Sequence, residues 1–91
     1  MLERAHVFYS GVVQGVYFRG TAQEIARRYS VSGWVRNLPD GRVEMVAEGE
    51  PGDIQSLLEG IREAKRRNIT EEDIRREDAT GEFGGFSIVA E

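Results

Sequence analysis

The sequence predicts an α+β fold in which two helices pack against one face of a single antiparallel sheet. The first observation is length, because 91 residues are enough for one domain, predicted to span residues 1–91. The second is hydrophobic patterning, since short apolar runs typical of strands alternate with two longer segments of helical spacing. The third is their order: strand, helix, strand, strand, helix and strand, followed by one further short strand.

The first strand is predicted over residues 7–13, which are rich in β-branched and aromatic side chains. A turn at Gln14 and Gly15 ends it. Residues 20–29 then change to a helical pattern, and Thr21 is expected to cap the helix near its start. The apolar side of this helix follows the i, i+3, i+4, i+7 spacing and consists of Ala22, Ile25, Ala26 and Tyr29.

A β-hairpin is predicted in the middle of the chain. Residues 32–37 and 42–48 alternate apolar and polar side chains, as half-buried strands do. The segment between them is Leu38-Pro39-Asp40-Gly41. Asp-Gly between two alternating runs is a strong hairpin signal.

The second half of the chain completes the sheet. A second helix begins around residues 49–51, and its apolar side consists of Ile54, Leu57, Leu58 and Ile61. Residues 68–73 are predicted to be a polar connection, and the heavily charged residues 74–79 an edge strand, where charge discourages aggregation. Residues 86–89 form a short closing strand. The complete order is that of the ferredoxin-like βαββαβ sandwich, a plan that hosts many functions.

Composition excludes several kinds of site. The chain has no cysteine and a single histidine, His6, so thiolate metal sites, cysteine nucleophiles and multi-histidine metal sites are not expected. We therefore predict no bound metal and no cofactor. His6 opens a strand and is expected to be a surface or edge residue rather than a catalytic one.

Charge and hydropathy exclude two classes of partner. The formal net charge of −4 disfavours nucleic acid, and no apolar run approaches the ~20 residues of a membrane span. The first residues lack the apolar region of a signal peptide, which predicts a cytoplasmic protein, taken by default to be a monomer. Charged residues make up 31% of the chain and heat-labile residues are scarce, which favours a heat-stable protein.

Residues 11–19, which connect the first strand to the first helix, are the first candidate site. Backbone N–H groups at such a junction can converge at the positive end of a helix, which favours an anion. Gly15 permits backbone torsions that other residues resist, and the planar guanidinium of Arg19 can hold two phosphate oxygens. This segment is a candidate phosphate site, although its spacing also fits an ordinary strand–helix turn with an exposed arginine.

Asn37 is the second candidate, at the point where a strand enters the hairpin turn. Asparagine at strand ends commonly caps turns, so the residue taken alone favours a structural role over a catalytic one. Trp34 is predicted to be a core or half-core aromatic residue, and Asp40 and Gly41 to form the turn.

Two longer motifs contain these candidates. The first is Gly11-x-Val13-Gln14-Gly15-Val16-x-Phe18-Arg19, and the second is Gly33-Trp34-Val35-Arg36-Asn37 followed by Asp40-Gly41-x-Val43-Glu44. In this order, and on this frame of strands and helices, they resemble the signatures of the acylphosphatase family. The resemblance is close over about residues 7–49 and is less close in the last strand, which ends Ile88-Val89-Ala90-Glu91.

The resemblance implies an enzyme that hydrolyses the carboxyl–phosphate mixed anhydride of acyl phosphates to a carboxylate and inorganic phosphate, without a metal. It places the family's arginine at Arg19, where it would hold the phosphate, and its asparagine at Asn37, where it would orient the attacking water. It also places the phosphate-binding loop on Gln14, Gly15, Val16, Tyr17 and Phe18.

Three other functions fit the same plan: an RNA-recognition domain, a regulatory ligand-binding domain, and a module of a larger carbamoyl-phosphate-using enzyme. RNA recognition needs paired aromatic residues on central strands, and adjacent strand residues such as Phe8 and Tyr9 point to opposite faces.

The basic residues at the end of the second helix are expected to be a solvated helix terminus. They are Arg62, Lys65, Arg66 and Arg67.

Overall fold

The computed structural model describes residues 1–90; Glu91, the last residue of the predicted domain, lies outside the described part. Within that part the elements follow the predicted order. The strands are β1 (Glu3–Gly11), β2 (Val31–Asn37), β3 (Val43–Gly49), β4 (Ile69–Asp78) and β5 (Phe86–Ile88), and the helices are α1 (Phe18–Ala26) and α2 (Pro51–Ala64).

The strands form one sheet in the order β4-β1-β3-β2-β5. β1 pairs antiparallel with β3 and β4, and β2 pairs antiparallel with β3. The short β5 pairs parallel with β2, so the complete sheet is mixed rather than antiparallel throughout. Because β1 and β2 flank β3 and both run opposite to it, their carboxyl ends lie at the same edge of the sheet.

The core lies between one face of this sheet and the two helices. Val7, Met45 and Val35 are direct neighbours across β1, β3 and β2, and all three are fully buried. α1 and α2 contact each other and the sheet, and each buries its apolar side. The first helix was predicted to reach residue 29 but ends at Ala26, so Tyr29 lies beyond it and is exposed. Neither helix is long and apolar enough to cross a membrane, as judged over residues 1–90.

The first strand and the first helix both begin earlier than predicted. β1 ends at Gly11, and the buried Val13 follows it in the loop. α1 begins at Phe18, so Thr21 lies inside the helix and its predicted role as cap is wrong. The reason is tertiary packing: the ring of Phe18 is buried against Tyr9, with 4.9 Å between ring centroids, which brings this residue into the first turn.

The strand β4 is longer than its sequence suggests. Residues 69–73, predicted to belong to a polar connection, pair with β1 as part of β4. β4 lies at the edge of the sheet, as predicted, where polar side chains stay in solvent. Ile69 and Ile74 pack against the core, so two apolar residues suffice to attach a largely charged strand.

The face of the sheet that the helices leave open carries two buried carboxylates, on β3. Glu44 accepts hydrogen bonds from Arg36 and pairs with His6. His6 therefore lies on an inner strand of the sheet and not at an edge. Glu48 accepts hydrogen bonds from Arg4, Thr80 and Gly81 and so attaches the segment before β5 to the sheet.

Candidate active site

A pocket of about 240 Å³ opens at the edge of the sheet where β1, β2 and β5 end and α1 begins. It brings together the two candidates of the sequence, Arg19 and Asn37. Loop residues and the end of β5 complete it, so the full lining is Val13, Gly15, Tyr17, Phe18, Arg19, Gly20, Asn37 and Ile88.

The loop between β1 and α1 and the first turn of α1 present backbone donors at this pocket that α1 itself does not pair. The first hydrogen bond of α1 runs from the Thr21 N–H to the Tyr17 carbonyl oxygen at 3.0 Å, so the preceding N–H groups of the helix have no acceptor within it. Gly15 (φ 77°) and Tyr17 (φ 61°) both adopt left-handed backbone conformations. Such alternation of backbone conformation turns successive N–H groups toward a common point, which favours an anion.

Tyr17 reaches this conformation although it has a large side chain, and its surroundings explain how. Its ring covers Gly20, where an added Cβ would lie 2.2 Å from the ring carbon Cζ. Its hydroxyl donates to Glu24 at 2.8 Å, and this hydrogen bond raises the pKa of the Tyr17 phenol. The ring is therefore anchored on the first two turns of α1, which stabilises the left-handed backbone that lies beneath it.

Gln14 belongs to the loop but does not line the pocket. Its Nε2 donates to the carbonyl oxygens of Leu38 at 2.7 Å and Arg42 at 2.8 Å. These two carbonyls belong to the β2–β3 turn, directly after Asn37. Gln14 therefore ties the loop to the hairpin and fixes the distance between the anion site and Asn37.

Val16 is the other loop residue whose side chain points away from the pocket. The side chain packs against the hydrophobic core, and the carbonyl oxygen accepts a hydrogen bond from Lys65 Nζ at 2.6 Å. Of the five predicted loop residues, three line the pocket, namely Gly15, Tyr17 and Phe18. The other two, Gln14 and Val16, hold the loop in place.

Arg19 is half-buried in the first turn of α1. Its guanidinium makes no ion pair and no side-chain hydrogen bond with any residue from 1 to 90. None of these residues therefore competes with an anion in the pocket for its donors. Within the same residues, no group of three or more acidic or histidine side chains is arranged to hold a metal ion.

Asn37 ends β2 on the helix-facing side of the sheet and is 8% exposed. Its Oδ1 is buried and has no hydrogen-bond partner within residues 1–90. The turn that Asn37 was expected to cap is closed instead by the Leu38 N–H to Arg42 carbonyl bond and by Asp40, which accepts from the Arg42 N–H. As far as residues 1–90 are concerned, Asn37 Oδ1 is thus available to accept a hydrogen bond from a molecule in the pocket.

Three residues of the lining were not predicted from the sequence: Val13, Gly20 and Ile88. A helical offset of three residues between Tyr17 and Gly20 could have indicated their contact. No local pattern indicates Ile88, because β5 is short and its position depends on parallel pairing with β2.

The fold and the pocket together define an α+β protein of ferredoxin-like architecture with an anion site at the start of its first helix. The family model for acylphosphatase matches residues 5–88. The chain belongs to the acylphosphatase family, as its two sequence motifs predicted.

Individual relatives agree in sequence and in structure. An acylphosphatase of Haloarcula marismortui is 50% identical over 86 residues, which cover 93% of each chain. An acylphosphatase of Roseiflexus sp. (strain RS-1) is 49% identical and aligns with 97% of this chain and 96% of its own. The crystal structure of acylphosphatase from Bacillus subtilis superimposes with a TM-score of 0.86 at 33% identity, covering 98% of this chain and 99% of the other.

Proposed function

We propose that the protein hydrolyses acyl phosphates in the pocket between the β1–α1 loop and Asn37, without a metal ion. Arg19 and the backbone donors of the loop hold the phosphate, and Asn37 orients the attacking water. The observation that carries this proposal is the convergence of a guanidinium and a buried amide oxygen, neither of which has a partner among residues 1–90, in one pocket at the start of a helix.

Phosphate binding follows from the charges that line the pocket. The phosphate of an acyl phosphate is an anion, and the planar guanidinium of Arg19 matches two of its oxygens. Backbone N–H groups and the positive end of α1 supply further positive potential. These groups are fixed by the fold before substrate arrives, so they stabilise the charge of the transition state without reorganising.

The attacking water is placed by Asn37. Oδ1 accepts a hydrogen bond from the water, which turns a lone pair of the water oxygen toward phosphorus. An amide is not a strong base, so water is oriented rather than deprotonated, and its proton passes to a phosphate oxygen. The new phosphorus–oxygen bond forms as the bond to the acyl oxygen breaks, and the carboxylate leaves with the electron pair.

The leaving group accounts for the small catalytic apparatus. A carboxylate is a stable anion at neutral pH, so its departure needs little assistance from an acid. The remaining tasks are to stabilise the phosphate charge and to hold water in line, and positioning alone supplies large rate factors. The residues of this pocket can perform both tasks, which supports a metal-independent reaction.

The proposal is tested by hydrolysis of benzoyl phosphate in the presence of EDTA, with Asn37→Ala beside the native protein. We expect EDTA-resistant turnover that falls about 10²-fold in Asn37→Ala, because misplaced water loses the advantage of orientation. Inhibition by inorganic phosphate should stay nearly unchanged, since Arg19 and the loop remain. Asn68→Ala is the matched control, because the Asn68 backbone bonds do not involve its side chain, and it should keep native activity.

Two outcomes would contradict the proposal. Native turnover in Asn37→Ala would remove this residue from the mechanism. If EDTA abolishes turnover and added divalent ions restore it, the reaction requires a metal and the proposed metal-independent mechanism is wrong. The cytoplasmic location, the monomeric state and the single domain over residues 1–91 stay predictions of the sequence.

A further inference from the structure

The end of α2 contacts the phosphate loop through one side chain. Lys65 Nζ donates a hydrogen bond to the carbonyl oxygen of Val16 at 2.6 Å, across 49 residues of sequence, in a partly buried position. Lys65 forms no ion pair with a carboxylate within residues 1–90. This contact contradicts the expectation that the basic residues at this helix end are merely solvated.

The backbone of Lys65 is firmly placed. Its N–H donates to the Ile61 carbonyl at 2.9 Å, and its own carbonyl accepts from the N–H groups of Asn68 at 2.9 Å and Ile69 at 3.0 Å. Three bonds thus fix the residue between the last turn of α2 and the first residue of β4. The side chain therefore starts from a rigid point and reaches the loop at Val16, which does not line the pocket.

The geometry of the peptide bond transmits this contact to the pocket. The Val16 carbonyl and the Tyr17 N–H belong to one planar trans peptide, in which the two groups point in opposite directions. Lys65 holds the carbonyl of Val16, a residue that does not line the pocket, while the next residue, Tyr17, does. With the carbonyl held there, the Tyr17 N–H is directed toward the pocket.

The charge of Lys65 acts in the same direction. An ammonium bound to a carbonyl oxygen polarises the peptide and makes the N–H on its other side a stronger donor. It also offsets the negative end of the α2 dipole, because Lys65 stands at the carboxyl end of this helix. Both effects favour a phosphate dianion on the far side of the loop.

We propose that Lys65 is a positioning residue for the reaction: by holding the Val16 carbonyl, it aims the Tyr17 N–H at the bound phosphate. This inference rests on the proposed function, because it requires phosphate to bind in the loop beside Arg19. Lys65 itself does not touch the substrate. Its effect on the phosphate passes through one peptide plane.

The test compares Lys65→Met with Arg67→Met, which removes an equal charge from an exposed residue two positions further on. Benzoyl phosphate turnover and the Kd of inorganic phosphate are measured well below the melting temperatures of both variants. We expect Lys65→Met to weaken phosphate binding and to lower kcat/KM by about 10-fold to 100-fold, less than the ~10²–10³ typical of complete donor loss. Arg67→Met should keep native values.

A residue-specific readout separates positioning from general stabilisation. In ¹H–¹⁵N spectra, titration with inorganic phosphate should move the Tyr17 amide proton downfield in the native protein, and this shift should largely disappear in Lys65→Met. If Lys65→Met does not fold, Lys65→Arg is measured instead; it keeps the charge but changes the donor geometry, so the Tyr17 shift should still be smaller than in the native protein.

An unchanged Tyr17 amide shift in Lys65→Met, or native phosphate affinity in that variant, would overturn the inference. So would a native protein in which phosphate moves the Arg19 resonances but not the Tyr17 amide; the proposed function would then still stand. The result that would contradict the proposed function is distinguishable from these. In that case Arg19→Ala would keep full activity, and no amide of the loop would shift when phosphate is added.

Discussion

Arg19 and Asn37 enter the pocket from different elements, yet both are positioned by their neighbours rather than by direct partners. Gln14 links the loop to the hairpin turn, and Tyr17 is anchored on α1 by Gly20 and Glu24. Among residues 1–90, the Arg19 guanidinium and the Asn37 Oδ1 therefore have no partner, while the backbone that bears them is held. At the scale of single residues, the side chains proposed to act on substrate are distinct from those that hold the loop and the turn.

Replacement of Arg19 by lysine should show whether the guanidinium grips two oxygens at once. Lysine keeps the charge but not the planar fork, so we expect kcat/KM for benzoyl phosphate to fall by about 10²-fold or more in Arg19→Lys, and further in Arg19→Ala. Steady-state kinetics at neutral pH measures both. Full activity in Arg19→Lys would mean that a single positive charge is sufficient.

At the scale of elements, the open face of the sheet is stabilised by a buried carboxylate. Burial alone would raise the pKa of the Glu48 carboxyl, but hydrogen bonds from the Thr80 and Gly81 N–H groups and from Arg4 lower it to about 2. These bonds join β1, β3 and the segment before β5. The negative charge of Glu48 therefore stabilises the native state.

This arrangement predicts how stability depends on pH. A lowered native pKa contributes stability that is complete above the unfolded pKa of 4.5 and is lost as pH falls toward about 2. We expect Glu48→Gln to destabilise the protein by about 1–3 kcal/mol at pH 7, since its amide N–H groups would face other donors. The difference from the native protein should shrink between pH 4.5 and pH 2.

Urea unfolding at several pH values measures this difference. Glu59→Gln is the control, because Glu59 is exposed on α2 and bonds only to Gln55 within residues 1–90. An equal loss of stability in Glu48→Gln at neutral and at acid pH would show that the carboxylate charge is not the stabilising feature.

Two elements also show where local patterns stop being informative. Residues 69–73 were predicted to be a polar connection because they lack apolar alternation, but pairing with β1 makes them a strand. α1 begins earlier than its pattern indicates because Phe18 packs on Tyr9. In both cases the end of the strand or helix is decided by a residue that is distant in sequence. The periodicity within a segment does not depend on that residue and cannot indicate it.

At the scale of the whole molecule, the pocket is lined by the β1–α1 loop, α1, β2 and β5, so it forms only when these parts of the chain are folded together. A ligand that binds only the native state stabilises it by about 2.7 kcal/mol at one hundred times its Kd. Inorganic phosphate at that excess should therefore raise the melting temperature by roughly 10 °C or more for a domain of this size.

Scanning calorimetry in phosphate and in chloride of equal ionic strength measures this shift. Arg19→Ala should lose most of it, because its anion site is incomplete. A shift of the same size in Arg19→Ala would place the phosphate effect elsewhere on the molecule. The melting temperature without phosphate also tests the prediction of a heat-stable protein, which a midpoint in the ordinary mesophilic range would contradict.

Much of this protein could be predicted from its sequence alone. The order of strands and helices could be predicted because it depends on interactions between residues close in sequence. These include the periodicity of strands and helices, the Asp-Gly turn and the position of Pro51. The two motifs likewise identified the family and gave Arg19 and Asn37 as candidate site residues, because each motif consists of residues that lie close together in the sequence.

Only the tertiary structure decided how these parts meet. It placed the carboxyl ends of β1 and β2 at one edge of the sheet by pairing both strands with β3. It also gave Gln14 and Lys65 their partners, which lie 24 to 49 residues away in sequence. A hydrogen bond from a side chain to a distant carbonyl leaves no periodic trace in the sequence, because any exposed carbonyl has the same chemistry. Geometry alone selects the partner.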